Sequence, residues 1–187
     1  MAVRKHVWIY PDASPSLSIS TTSSSGSNSL TSSATADYFS ESFTIAGPAG
    51  GNGYLYSTLS FSSYTIQAGD YLEYSIYLPN TTSPQNFGID IFFTNGVLRD
   101  AGVTDQNGIT AHPAADLSSV AGQKWYYRKI PITTSTGGST IGTSITAVQP
   151  TCENDAIATY TAYFKNIAIT DGNGAAIYNR SSFHSLI

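Results

Sequence analysis

The chain has 187 residues, 41% of them hydrophobic and 12% aromatic, which is material for one packed domain and excludes a disordered polymer. Charged residues are only 11% of it and the formal net charge is −4. Against the ~25% charged residues of an average soluble protein, and with Ser and Thr at roughly a quarter of the chain, the surface is expected to be hydroxyl-rich rather than ionic. Lacking a basic field, the chain is not expected to have nucleic acid as its main partner.

The first ten residues, Met1 to Tyr10, begin with basic residues, but their apolar stretch is interrupted and leads into Pro11-Asp12. No signal peptide is read there, and no run approaches the ~18–20 apolar residues of a membrane span. Val7, Ile9, Trp8 and Tyr10 suit a short strand that docks either on its own domain or on a partner. Residues 11–36 are dominated by Ser, Thr, Ala, Gly and Asn, with little to bury. The expected organisation is therefore a flexible N-terminal arm and linker over 1–36 and a folded unit over 37–187.

Beyond residue 37 the pattern is short runs of Tyr, Phe, Ile, Val and Thr between turn residues, with no sustained helical stripe. Strands are predicted over 38–45, 54–61, 71–78, 88–94, 125–132, 143–148 and 161–169. In the third, Leu72, Tyr74, Ile76 and Leu78 share one face and Tyr71, Glu73, Ser75 and Tyr77 the other, so only one face is expected to be fully buried. Turns are marked by Ala68-Gly69-Asp70, Thr94-Asn95-Gly96, Thr136-Gly137-Gly138 and Asp171-Gly172-Asn173-Gly174. These features predict an all-β protein, an antiparallel β-sandwich of jelly-roll type. Segment 97–124 is too polar and too rich in Gly and Ala for one strand, and is expected to be a large loop crossing between sheets or over one face.

Function on a β scaffold concentrates in such loops. This one holds Arg99, Asp105, Asn107 and His112 and runs into Trp125. Carboxylates, amides and a guanidinium can bridge vicinal hydroxyls while an aromatic face packs on a sugar ring, so these five residues are the expected glycan-binding set. The competing expectation is structural: Arg99 paired with Asp100 or Asp105 to pin the loop, Asn107-Gly108 a turn, and Trp125 in the core.

Catalysis has no comparable support. A glycosidase needs two carboxyl groups about 5–9.5 Å apart, and nothing singles out a pair among Glu41, Glu73, Glu153 and the aspartates. Of His6, His112 and His184, only His112 lies outside a probable tail, and no nucleophile elbow, phosphate loop or dinucleotide fingerprint occurs. The lone Cys152 is expected to be a buried, inert thiol. The protein is therefore read as non-enzymatic. No cofactor is called for, and Asp171-Gly172-Asn173-Gly174, which resembles part of a calcium loop, is more simply a turn.

The series 68–78, 88–96, Asp105-Gln106-Asn107-Gly108 with His112-Pro113, Gln123-Lys124-Trp125-Tyr126-Tyr127-Arg128 and 162–172 resembles the galactose-binding-like, carbohydrate-binding-module-type jelly-roll domains appended to bacterial glycoside hydrolases. The resemblance covers roughly residues 38–178 and rests on strand framing and loop placement. It implies a non-catalytic sandwich that binds glycans or a cell-surface polysaccharide through loops or a concave face, often with a structural calcium. Ligand residues vary among such modules, so only position in the loop carries over to the five residues named.

A short chain with its own Met1 and no signal peptide further resembles a virion component, such as a phage decoration, head-fibre or tail protein, with residues 1–36 anchoring it to a protein partner. Extracellular or virion-surface display follows from that reading. A homo-oligomer is compatible with it, although no residue pattern specifies one. The alternatives are a module of a secreted glycoside hydrolase and a structural sandwich subunit without sugar binding.

Overall fold

The computed structural model describes residues 7–10, 17–22, 28–34, 38–45, 54–81, 86–153 and 159–172. In chain order these hold β1 (Val7–Tyr10), β2 (Leu17–Thr22), β3 (Asn28–Ala34), β4 (Phe39–Ile45), β5 (Tyr54–Thr65), β6 (Tyr71–Tyr77), β7 (Phe87–Asp90), β8 (Phe92–Phe93) and β9 (Gly96–Val97). There follow one helical turn, α1 (Ser118–Ala121), and β10 (Trp125–Pro131), β11 (Thr134–Ser135), β12 (Gly138–Ser139), β13 (Ser144–Glu153) and β14 (Thr159–Thr170).

The larger sheet has six strands, ordered β10-β6-β14-β4-β3 with β1 also paired to β14, and the smaller has four, ordered β2-β5-β13-β7. All these pairings are antiparallel. From β4 onward, the two short hairpins β8–β9 and β11–β12 aside, successive strands alternate between the sheets. Such alternation is jelly-roll winding, and the fold is an antiparallel β-sandwich.

Period-two patterning decides which side chains lie between the layers. On β6, Leu72, Tyr74 and Ile76 are fully buried; with Ile130 and Phe164 they face Leu55, Leu59, Phe87, Ile89, Val148 and Cys152 of the smaller sheet. Full burial of an aliphatic or aromatic side chain of this kind stabilises by ~1.5–3 kcal/mol. The outer face of β6 departs from expectation, because Glu73 and Ser75 are buried too. Glu73 is held by Thr170, whose hydroxyl donates to Oε1 at 2.7 Å.

The largest correction concerns residues 1–36. The stretch expected to be arm and linker supplies three strands: β1 pairs with β14, β2 with β5, and β3 with β4. Ile9 is fully buried. Of the two docking expectations for the N-terminal peptide, pairing within its own domain is therefore what is found. Thr suits a pleated strand and Ser carries no charge to desolvate there, so a hydroxyl-rich sequence can pair with a neighbour without an apolar run of its own.

Two strand boundaries also moved. The strand predicted over 88–94 breaks at Asp90, whose Oδ1 accepts the backbone N–H groups of Ile91, Leu98 and Arg99 at 2.8, 3.1 and 2.9 Å. A side chain thus takes the place of a neighbouring strand, and the chain folds back into the β8–β9 hairpin. Conversely, β13 runs on past Val148 through Pro150, which pairs with Ile89 of β7 while Gln149 and Pro150 have no paired partner on β5. A residue without an N–H is accommodated where one ladder is interrupted. The tips of the two short hairpins interlock: Asn95 donates to the Ser139 carbonyl and Val97 N–H to Thr136 Oγ1. A side chain on Gly137 would collide with the Asn95 carbonyl, so glycine is required there.

Segment 97–124 closes the side of the sandwich between edge strands β7 and β10. Ala111 and Pro113 pack over Gly88 of β7. At the other edge the Gln106 amide lies along β10, donating to the Tyr127 carbonyl at 2.7 Å and accepting from Lys129 N–H at 2.8 Å. The short helix α1 within this segment was not anticipated.

Candidate functional site

The five residues expected to bind glycan fall into three separate sets of contacts. Asp105 and Asn107 belong to a buried network. The Asp105 and Arg128 side chains are both fully buried, joined by a 2.9 Å contact from Nε to Oδ2. Arg128 also donates to Tyr74 Oη at 3.3 Å and to the Ile109 and Thr110 carbonyls at 3.2 and 2.6 Å. Asp105 further accepts from Tyr126 Oη and from the N–H groups of Asn107 and Ile109, each at 3.0 Å. Tyr126 is pushed above the ordinary tyrosine value, first by burial and then by its bond to Asp105. It therefore remains a neutral donor. Asn107 precedes Gly108 at φ +81° and donates to Tyr126 Oη at 3.0 Å. The arrangement pins a turn to the underside of β10.

Arg99 and His112 form a second set on the smaller sheet. Arg99 pairs with buried Asp90 and, at 3.5 Å, with Asp100, and its guanidinium lies 4.5 Å from the Tyr54 ring centroid. Ala114 N–H donates to His112 Nδ1 at 3.1 Å, leaving Nε2 to face Tyr54 Oη at 3.0 Å and Asp100 at 3.2 Å. Tyr54 is raised above its ordinary value, chiefly by burial and next by the charge of Glu153.

Trp125 is the third set. It opens β10 and is 39% exposed. The register places Tyr77 of β6 beside it and Tyr163 of β14 beside Tyr77, so three rings from three neighbouring strands stand in one row. Tyr38, just ahead of β4, completes the group. Ring centroids are 5.6 Å apart for Tyr77 and Trp125, 5.8 Å for Tyr77 and Tyr163, 5.4 Å for Tyr38 and Tyr163, and 6.4 Å for Tyr38 and Trp125. Each ring touches two others, and together the four line a cavity of about 260 Å³. The rings are inclined to one another by 49–75°, so this aromatic platform is a closed circuit of four rings around an open hollow rather than a flat sheet of rings.

Two backbone features shape the platform. Gln123, two residues before Trp125, takes φ +54°, and its N–H donates to the Leu78 carbonyl at 2.7 Å, tying the end of segment 97–124 to the end of β6. On β14 the register to β6 shifts between Lys165 and Ala168 around Asn166, also at φ +54°. This bulge ends the stretch on which Lys165 stands opposite Ser75, and Lys165 Nζ lies 4.0 Å from the Trp125 ring centroid.

Sequence reasoning thus pointed to Trp125 but missed Tyr38, Tyr77 and Tyr163. The available signal was Tyr77 on the outward side of the β6 alternation; its neighbours follow only from strand register. Among the described residues no group of three or more His, Cys, Asp or Glu side chains converges as a metal site. Of the expected turn at 171–174, only Asp171 and Gly172 lie within the described residues. No described helix is long and apolar enough to cross a membrane.

No family model matches the sequence, and no curated protein matches it. Solved structures do. The family 30 carbohydrate-binding module of a cellulosomal cellulase of Clostridium thermocellum aligns at TM-score 0.51 and 15% identity, covering 91% of this chain and 99% of that one. The fold is that of a carbohydrate-binding-module β-sandwich. A family 11 carbohydrate-binding module of another cellulosomal cellulase of that organism aligns at TM-score 0.48 and 13% identity, over 88% of this chain and 92% of that one. At such identities the likeness is one of carbohydrate-binding-module fold alone, and the second alignment adds nothing to the first.

Proposed function

We propose that the protein is a non-catalytic glycan-binding domain and that its ligand lies on the platform of Tyr38, Tyr77, Trp125 and Tyr163. The observation that carries this reading is the row of rings itself. Solvent-facing aromatics in mutual contact across three strands cost hydrophobic surface exposed to water, and a sugar's C–H face can cover them. Tyrosine combines such a ring with a hydroxyl that can donate and accept, as a sugar ligand requires. The described residues lining the cavity are three tyrosines and a tryptophan, side chains suited to stacking on a sugar. The fold of the comparison module agrees with this reading. Display outside the cell, where polysaccharide ligands lie, is part of the same proposal. Anchoring of the N-terminus to another protein is not, since β1 is paired with β14.

Arg99, Asp105, Asn107 and His112 are assigned structural work in this proposal, because their polar atoms bond within the loop and to the sheets. Affinity electrophoresis and calorimetry against a panel of soluble polysaccharides test it. Trp125→Ala should weaken binding by at least about tenfold, the equivalent of ~1.4 kcal/mol. Unchanged binding in Trp125→Ala and Tyr77→Ala would overturn it.

A further inference from the structure

One lysine stands over Trp125 without a counter-charge. Lys165 Nζ sits over the indole and makes no hydrogen bond or ion pair with any described residue; Lys124, immediately before Trp125, is exposed and likewise lacks a described partner. The other described cations are engaged. Arg99 pairs with Asp90 and Asp100, Arg128 with Asp105, and Lys129 Nζ donates to the Gly172 carbonyl. This contrast does not arise from a surplus of positive charge, since the chain has 8 Lys and Arg against 12 Asp and Glu. Carboxylates outnumber cations, yet a lysine without a counter-charge sits on the aromatic platform.

A cation on an indole face gains ~0.5–1 kcal/mol at an exposed site, so Trp125 holds the Lys165 ammonium in place without consuming its hydrogen-bond donors. Three N–H donors are left for whatever lies on the neighbouring rings. A charged acceptor there would form shorter and stronger bonds than a sugar hydroxyl.

We propose, resting on the glycan-binding reading, that the platform takes an anionic glycan, one whose sugars carry carboxylate or sulfate groups, with Lys165 meeting that charge. Titrations of the full chain with a neutral glucan oligosaccharide, a polyuronate and a sulfated oligosaccharide of matched length would test this, each at low and high salt. At least one of the two anionic ligands should bind about tenfold or more tightly than the neutral one, and the advantage should shrink as salt is added. Which of them binds tells carboxylate from sulfate. The variant Lys165→Gln, checked for an unchanged melting temperature, should bring the ratio of anionic to neutral affinity close to one. Equal affinity for neutral and anionic ligands, or an advantage that survives Lys165→Gln, would overturn the proposal while leaving the platform reading intact. Absence of binding to all three, with Trp125→Ala inert, would instead remove the platform reading and this proposal with it.

Discussion

Segment 97–124 and the outer face of the larger sheet make opposite use of their side chains. The segment gathers Arg99, Asp105, Asn107 and His112 within 14 residues of sequence, yet their polar atoms bond to the protein itself. The sheet face gathers Tyr38, Tyr77, Trp125 and Tyr163 from across the chain, and their rings face outward around one cavity. Polar density in a loop is thus a poor sign of a ligand site when the loop must close the side of a sandwich. Buried backbone there needs partners, and the loop's own side chains supply them.

Mutations can break this contrast. The largest effect is expected on the buried side: Asp105→Ala leaves the Arg128 guanidinium uncompensated and should cost ~3–5 kcal/mol of unfolding free energy, measured by urea denaturation. Where that variant is still folded, its glycan affinity should be close to that of the parent. Tyr77→Ala on the platform should behave in reverse, weakening binding about tenfold or more while the urea midpoint moves much less than in Asp105→Ala. A coupled loss of both properties in either variant would erase the distinction between the two regions.

Smaller changes sharpen it. Gln106→Ala removes two hydrogen bonds from the edge of β10 and should cost ~1–3 kcal/mol, with slower-exchanging amides lost at Lys129 in hydrogen-exchange measurements. The smallest effect is in alkali. Tyr126 and Tyr54 have folded values raised above 10.0, so the neutral phenol is favoured in the folded state. Stability contributed by that preference is fully present below the unfolded value and is lost as pH rises through the folded one. The melting temperature should therefore decline in that alkaline range, and less steeply in Tyr126→Phe.

How much of this was legible in the sequence depended on whether the determining interaction was local. The β6 alternation of Leu72, Tyr74, Ile76 and Leu78 predicted the buried face directly. In β2 only Leu17 and Ile19 break a hydroxyl-rich run, and the pairing with Leu59 and Ser57 that makes it a strand is far away in sequence. Asp90 ended its strand through bonds to residues 98 and 99, which no window around 88–94 contains. Trp125 could be suspected as an aromatic after a loop, but its companions are set by which residue of β6 stands opposite which of β10 and β14. That is information about register, and apolar periodicity alone does not carry it.

The extra residue in β14 reaches further than its own turn of backbone. A pleated strand sorts side chains by parity, and Phe164 points inward. Without the added step at Asn166, Ile167 and Ile169 would fall on the odd, outward side. Because it is there, both stay among the core residues, fully or almost fully enclosed. The same strand then takes β4 as neighbour before the step and β1 after it. Excising that one position would turn half a strand inside out, and with it the flank on which the N-terminus is zipped.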